Sequence, residues 1–135
     1  MNDPFKSHIR LNDQSLLASD IALMDLRYCP FIFLNACETG QSGGRTVENL
    51  EEVGDEQIGF VRAFTMAKSL SILVTAWKIR DDVATRFANC FYEVLPNSTT
   101  SEALKIARTK TWEEFKESSR DWAAYILYGN PFWRL

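Results

Sequence analysis

One histidine, no CxxC pair and no continuous apolar run of membrane-spanning length: the chain is most easily approached through what it lacks. A single imidazole, His8, makes a Cys/His zinc site improbable, because structural zinc takes four ligands of those types at close spacing. The three cysteines, Cys29, Cys37 and Cys90, are odd in number and unpaired by spacing, which suits a reducing cytoplasm better than a disulfide framework. No stretch is long and apolar enough to cross a bilayer, and the first residues are too polar for a signal peptide. A basic stripe is missing too, and the net charge is −3, so neither nucleic acid nor a membrane is expected as a partner. Without internal repeats or low-complexity segments, the 135 residues suit one compact domain spanning residues 1–135.

What is present is a regular alternation of strand-like and helix-like segments. His8-Ile9-Arg10-Leu11 alternates and reads as a short strand, closed by the turn-forming Asn12-Asp13-Gln14. Ser15 to Leu26 reads as a helix, with Leu17, Ile21 and Met24 at helical spacing. Arg27-Tyr28-Cys29-Pro30 breaks it, and Phe31-Ile32-Phe33-Leu34 follows as a buried strand that ends near Cys37. A polar loop from Gly40 to Glu56 carries four glycines, and its part around Val47 to Val53 is a candidate helix. Ile58 to Lys68 is expected to bury Phe60, Val61, Phe64 and Ala67 on one face. Ser71 to Ala76 reads as a second core strand, Asp81 to about Leu95 as a helix with Val83, Phe87, Cys90, Phe91 and Val94 on one stripe, and Ser101 or a neighbouring threonine as the start of another helix reaching Phe115 or Lys116. Ala123 to Tyr128 is the last strand, closed by Gly129-Asn130-Pro131. Such alternation predicts an α/β sandwich around a mostly parallel sheet.

Two motifs compete for chemistry with Cys37. Gly40-Gln41-Ser42-Gly43-Gly44 satisfies G-x-S-x-G, but the elbow serine of an α/β-hydrolase sits directly on the strand-to-helix turn and needs a histidine further along. Ser42 lies several residues past Leu34, and no histidine follows it. The same glycines are not a phosphate-binding P-loop, since no Gly-Lys-Ser/Thr comes after them. Cys37 stands at the end of an apolar strand, where open α/β sheets place their sites, and a partly exposed thiol there can act as a nucleophile. By spacing alone the small core residue is the better reading.

Leu34-Asn35-Ala36-Cys37-Glu38-Thr39-Gly40 closely resembles the nucleophile motif of CHAT domains, bacterial caspase-like cysteine peptidases related to separase. The resemblance extends through Gly59-Phe60-Val61-Arg62-Ala63-Phe64, Val74-Thr75-Ala76-Trp77 with Asp81-Asp82, Phe91-Tyr92, and the final Tyr128-Gly129-Asn130-Pro131. Upstream, Pro4, Ser7, Leu11, Asp13, Leu16, Asp20 and Ile21 fall where such domains carry the strand and helix before the nucleophile. The resemblance implies a caspase-like three-layer α/β sandwich, no cofactor, a protein or peptide substrate, a cytoplasmic location, and tetratricopeptide or other sensor repeats as companions. It assigns Cys37 the attack on a peptide carbonyl, with the Cys37 backbone N–H as one oxyanion donor.

The second donor in that family, with the general base, comes from a His-Gly pair that aligns just before Met1. His8 lies only 29 residues ahead of Cys37 and is followed by Ile9, so it matches neither the spacing nor the pair. The chain is therefore expected to be the C-terminal portion of such a domain, lacking its first strands. An aspartate shortly after the tryptophan lies near the S1 pocket wall in the relatives; here Asp81 takes that place, where a buried carboxylate would favour arginine or lysine before the scissile bond. The alternative is that Asp81 caps its helix and Trp77 fills the core. Two functions stay open: a cysteine endopeptidase domain inactive as an isolated fragment, and a non-catalytic remnant serving protein–protein interaction.

Overall fold

The computed structural model describes residues 7–10, 12–35 and 48–135. β1 (His8–Arg10) and β2 (Ser15–Leu17) form an antiparallel hairpin, followed by the short α1 (Ala18–Ala22). β3 (Phe31–Leu34), α2 (Glu48–Met66), β4 (Ser71–Thr75), α3 (Asp81–Val94), α4 (Thr100–Phe115) and β5 (Tyr125–Gly129) complete the order. Single 3₁₀ turns cover Leu95–Asn97 and Asp121–Ala123.

β3, β4 and β5 make one sheet in that order. β3 and β4 run parallel, Phe31 beside Ser71 and Leu34 beside Val74, as two apolar runs joined by a helix should. β5 is antiparallel to β4, so among the described residues the sheet is half parallel, not mostly so. The reason lies in the connection. One helix returns the chain to the end where the previous strand began, whereas α3 and α4 together bring it back to the end it left. β4 is the central strand, and β3 takes an outer place among the described residues, its four side chains only half-buried.

Alternation along the strands divides the core in two. Leu73, Tyr125 and the half-buried Phe31, Phe33 and Leu127 pack with Phe87, Cys90, Phe91, Ala103 and Ala107 of α3 and α4. Ile72, Val74, Ile32 and Leu34 face the other way, onto Ala18, Ile21, Ala63 and Phe64 of α1 and α2. Helices thus cover both faces, a layered α/β arrangement. The first face is built largely of rings: Phe87 lies flat on Tyr125 with centroids 3.4 Å apart, and Phe91 stacks on Phe31 at 5.6 Å.

The helix expected over Ser15 to Leu26 is replaced by β2 and the five-residue α1. Of its proposed stripe only Ile21 is buried, while Leu17 and Met24 are 38% and 42% exposed. Pairing of Ser15–Leu17 with β1 takes the first turn, and Ala18 N–H donates to the Ser7 carbonyl at 2.8 Å. The candidate helix around Val47 to Val53 and the one from Ile58 are a single element, α2. It ends in a left-handed residue, Lys68 (φ 72°), where Ser69 N–H bonds the Phe64 carbonyl and Lys68 N–H that of Thr65. This is a Schellman cap with lysine where glycine is usual.

α4 begins at a capping box in which Thr99 Oγ1 accepts from Glu102 N–H and Thr99 N–H donates to the Glu102 carboxylate. Its next free donors are met by the C-terminal tail: Thr100 N–H reaches the Trp133 carbonyl at 2.9 Å and Ser101 N–H that of Pro131 at 3.1 Å. The Trp133 ring stacks on Phe31, centroids 5.5 Å apart. Gly129 (φ 88°) makes the turn before this tail, and a Cβ there would lie 2.2 Å from the Leu70 carbonyl oxygen.

Candidate functional site at the carboxyl end of the sheet

The parallel strands β3 and β4 end side by side, at Leu34 and Thr75, and the antiparallel β5 begins at the same end. Three segments therefore converge there: Asn35, leading toward Cys37; Ala76 to Arg80, between β4 and α3; and Asp121 to Tyr125. Open α/β sheets offer their crevices at this end because the loops, not the helices, line it. Cys37 itself lies outside the described residues, as do Glu38, Thr39 and the glycine-rich stretch with Ser42.

Asp121 organises the rim. One carboxylate oxygen accepts the Trp77 indole N–H at 3.3 Å, and the other accepts Arg80 N–H at 2.9 Å. That second bond meets one of the free N–H groups at the start of α3, a task expected of a capping side chain near the helix. The capping assignment to Asp81 is accordingly corrected. Asp81 is the first residue of α3, one place inside it; the cap position is Arg80, whose side chain makes no capping bond. Asp82 pairs with the Arg80 guanidinium at 2.6 Å and accepts Val83 N–H at 2.9 Å; the Arg80 bond holds its carboxyl below the usual carboxylate range.

Asp81 is exposed, not buried as a carboxylate in a closed pocket would be. Trp77 does not fill the core either: it is 37% exposed, its indole anchored at one edge by Asp121. The two residues flank the same loop at the sheet's carboxyl end.

Tyr125 is fully buried, and its hydroxyl donates to Asn35 Oδ1 at 3.1 Å. Burial, aided by the charge of Asp121, pushes the phenol well above its ordinary value, so it remains a donor through the neutral range. Arg108 of α4 donates from Nη2 to the Tyr125 carbonyl, and burial lowers its guanidinium. Neither Asp121 nor Tyr125 attracted notice as a site residue. Their partners lie 44 and 90 positions away in sequence, beyond the reach of any local motif.

The remaining candidates fall elsewhere. His8 is exposed on β1, in the separate hairpin sheet. Cys90 is fully buried on α3, whereas Cys29 is exposed before Pro30, at the opposite end of β3. Among the described residues no group of three or more His, Cys, Asp or Glu side chains could hold a metal ion, and no helix is long and apolar enough to cross a membrane.

Compared with known proteins, residues 1–130 match the family model of the CHAT domain. No curated protein and no solved structure matches the chain closely enough to serve as a relative.

Proposed function

The chain belongs to the CHAT domain family, and from that premise we propose that it is a cysteine endopeptidase domain of the caspase-like type, with Cys37 as nucleophile. The observation that carries the reading is Cys37 itself, placed by sequence three residues past a strand that runs parallel to its neighbour, toward the end where such sheets are open. In this scheme a general base takes the Cys37 thiol proton and Sγ attacks a peptide carbonyl, its electron pair forming the S–C bond while the C=O π pair moves to the oxygen, an oxyanion held by the Cys37 backbone N–H. Collapse expels the amine, which takes a proton from a general acid, and water later releases the acyl group.

The general acid–base is the part this sequence does not supply, since His8 is not followed by glycine and stands on the hairpin. The proposal is therefore a domain over residues 1–135 that works on a protein or peptide substrate together with a histidine base and an oxyanion-donating glycine. Without them it turns over little, as loss of a triad member leaves only residual catalysis. Asp81 and Trp77 favour arginine or lysine before the scissile bond, by charge pairing and by contact with the indole face.

The missing pair also supports a second reading, a caspase-like fold retained for protein–protein interaction. A fluorogenic Arg-peptide assay separates them. It compares this chain, a form extended upstream by a His-Gly segment, Cys37→Ala in the extended form, and His8→Ala in the short one. The peptidase reading expects turnover only with the extension, lost on Cys37→Ala and reduced for arginine substrates by Asp81→Ala. No turnover in any form favours the interaction module. Robust turnover by the short chain, lost on His8→Ala, would overturn the role denied to His8.

A further inference from the structure

Tyr125 is held on every side. Its ring lies flat against Phe87 at 3.4 Å, its backbone pairs with Thr75 of β4, and its carbonyl takes the Arg108 guanidinium. No part of its side chain is exposed. A phenylalanine would fill the same place in this ring-rich core and stack as well. What tyrosine adds is one hydroxyl, and that hydroxyl donates to Asn35 Oδ1 at 3.1 Å.

The geometry of this bond is unusual for a sheet. β3 and β5 are not neighbours; β4 lies between them. Their axes are about 9–10 Å apart at two strand spacings, a gap that a long phenol and a short amide close together. The bond therefore ties Asn35, the residue directly after β3, to the fully buried first residue of β5, across the end of the central strand. Asn35 is itself exposed, and Tyr125 supplies the one hydrogen bond that its side chain makes among the described residues. Two residues later in the chain comes Cys37.

We propose that Tyr125 and Asn35 are positioning residues, a hydrogen-bonded brace that fixes where the chain leaves β3 and thereby how the thiol of Cys37 is presented. The proposal rests on Cys37 as the reacting group. It goes beyond that reading by assigning the orientation of the nucleophile to a core tyrosine and an amide, neither of which touches substrate. Two further contacts suit the role. Asp121, four residues before Tyr125, fixes the Trp77–Arg80 loop on the adjoining rim, so a single segment sets both sides of the opening. Arg108 holds the first carbonyl of β5, which keeps the hydroxyl aimed at the β3 exit.

The test is a double-mutant cycle read by chemistry on the native protein. The second-order rate constant for iodoacetamide labelling of Cys37, resolved by mass spectrometry, is measured across the neutral to mildly alkaline range. The variants are Tyr125→Phe, Asn35→Ala and the pair together. Thr111→Val serves as the control, because it removes an equally buried hydroxyl that bonds the Ala107 carbonyl inside α4. The brace predicts that all three variants change the Cys37 rate by the same factor, about threefold or more, with the double no different from either single. Thr111→Val should leave the labelling profile as it is in the wild type while lowering the urea midpoint. An unchanged rate in Tyr125→Phe, factors that multiply in the double variant, or an equal change in Thr111→Val each overturns the brace. Coupled labelling in a protein that cleaves no peptide in any form would remove the peptidase reading and leave the brace standing.

Discussion

The two ends of the sheet are built on different principles. At the amino end of the parallel strands, main-chain bonds predominate, with the Ser69, Ser71 and Thr100 hydroxyls added to them. Pro30 O accepts from both Leu70 and Ser71, Asn130 N–H reaches Leu70 O, Ser71 Oγ bonds Asn130 O at 2.6 Å, and the tail caps α4. At the carboxyl end, single side chains bridge distant segments: Asp121 to Trp77 and Arg80, and Tyr125 to Asn35. Main-chain bonds hold a fold with little dependence on residue type, whereas side-chain bridges can be tuned one residue at a time. Such an asymmetry would suit a molecule with its stability at one pole and, on the proposed function, its chemistry at the other.

Substitutions at the two poles should therefore differ in what they damage. Gly129→Ala meets both a left-handed backbone and a Leu70 carbonyl oxygen 2.2 Å from the new Cβ, and should cost about 3 kcal/mol or more in urea unfolding. Trp133→Ala removes the ring stacked on Phe31 and loosens the tail over α4. It should cost about 2 kcal/mol, less than a fully buried aromatic because Trp133 is only partly buried. At the other pole Asp121→Ala gives up two hydrogen bonds and should cost only about 1–2 kcal/mol, while making Trp77 more accessible to a fluorescence quencher. Equal losses at both ends, with no change in quenching, would erase the distinction. Lys68→Gly, at the amino pole, should stabilise by about 0.5–1 kcal/mol, since glycine carries no strain at φ 72°.

The amino pole and the core were far more legible in the sequence than the rim of the site. Val83, Phe87, Cys90 and Phe91 recur at helical spacing and are all buried on α3, because periodicity reports directly which face meets the core. Phe31–Leu34 and Ser71–Ala76 read as core strands; β3 and β4 do pair side by side, but β3 is outer, not central, among the described residues. The hairpin strand β2 escaped notice: three residues are too few to show alternation, and Leu17, Ile21 and Met24 imitate a helix. The direction of β5 depends on two helices packing as a pair, which no local pattern encodes. Asp81 drew attention by its neighbour Trp77, yet the carboxylate that grips that indole is Asp121. Membership of the CHAT domain family was legible from Leu34 to Gly40 and the motifs after it, because those residues are local in sequence even though Cys37 and its loop lie outside the described structure.

Three thiols put the central claim to its most direct trial. Cys90 is fully buried, Cys29 is exposed at the amino end of β3, and Cys37 follows its carboxyl end. Cys29 is the exposed thiol among the described residues, so competition between Cys29 and Cys37 separates mere access from a thiol set up to react. Native protein is pulsed with limiting iodoacetamide at neutral pH, and the adducts at the three sites are counted by mass spectrometry. Cys37 is expected to label first, Cys29 more slowly and Cys90 only on unfolding. Labelling of Cys29 or Cys90 ahead of Cys37 would contradict the assignment of Cys37 as the reactive residue.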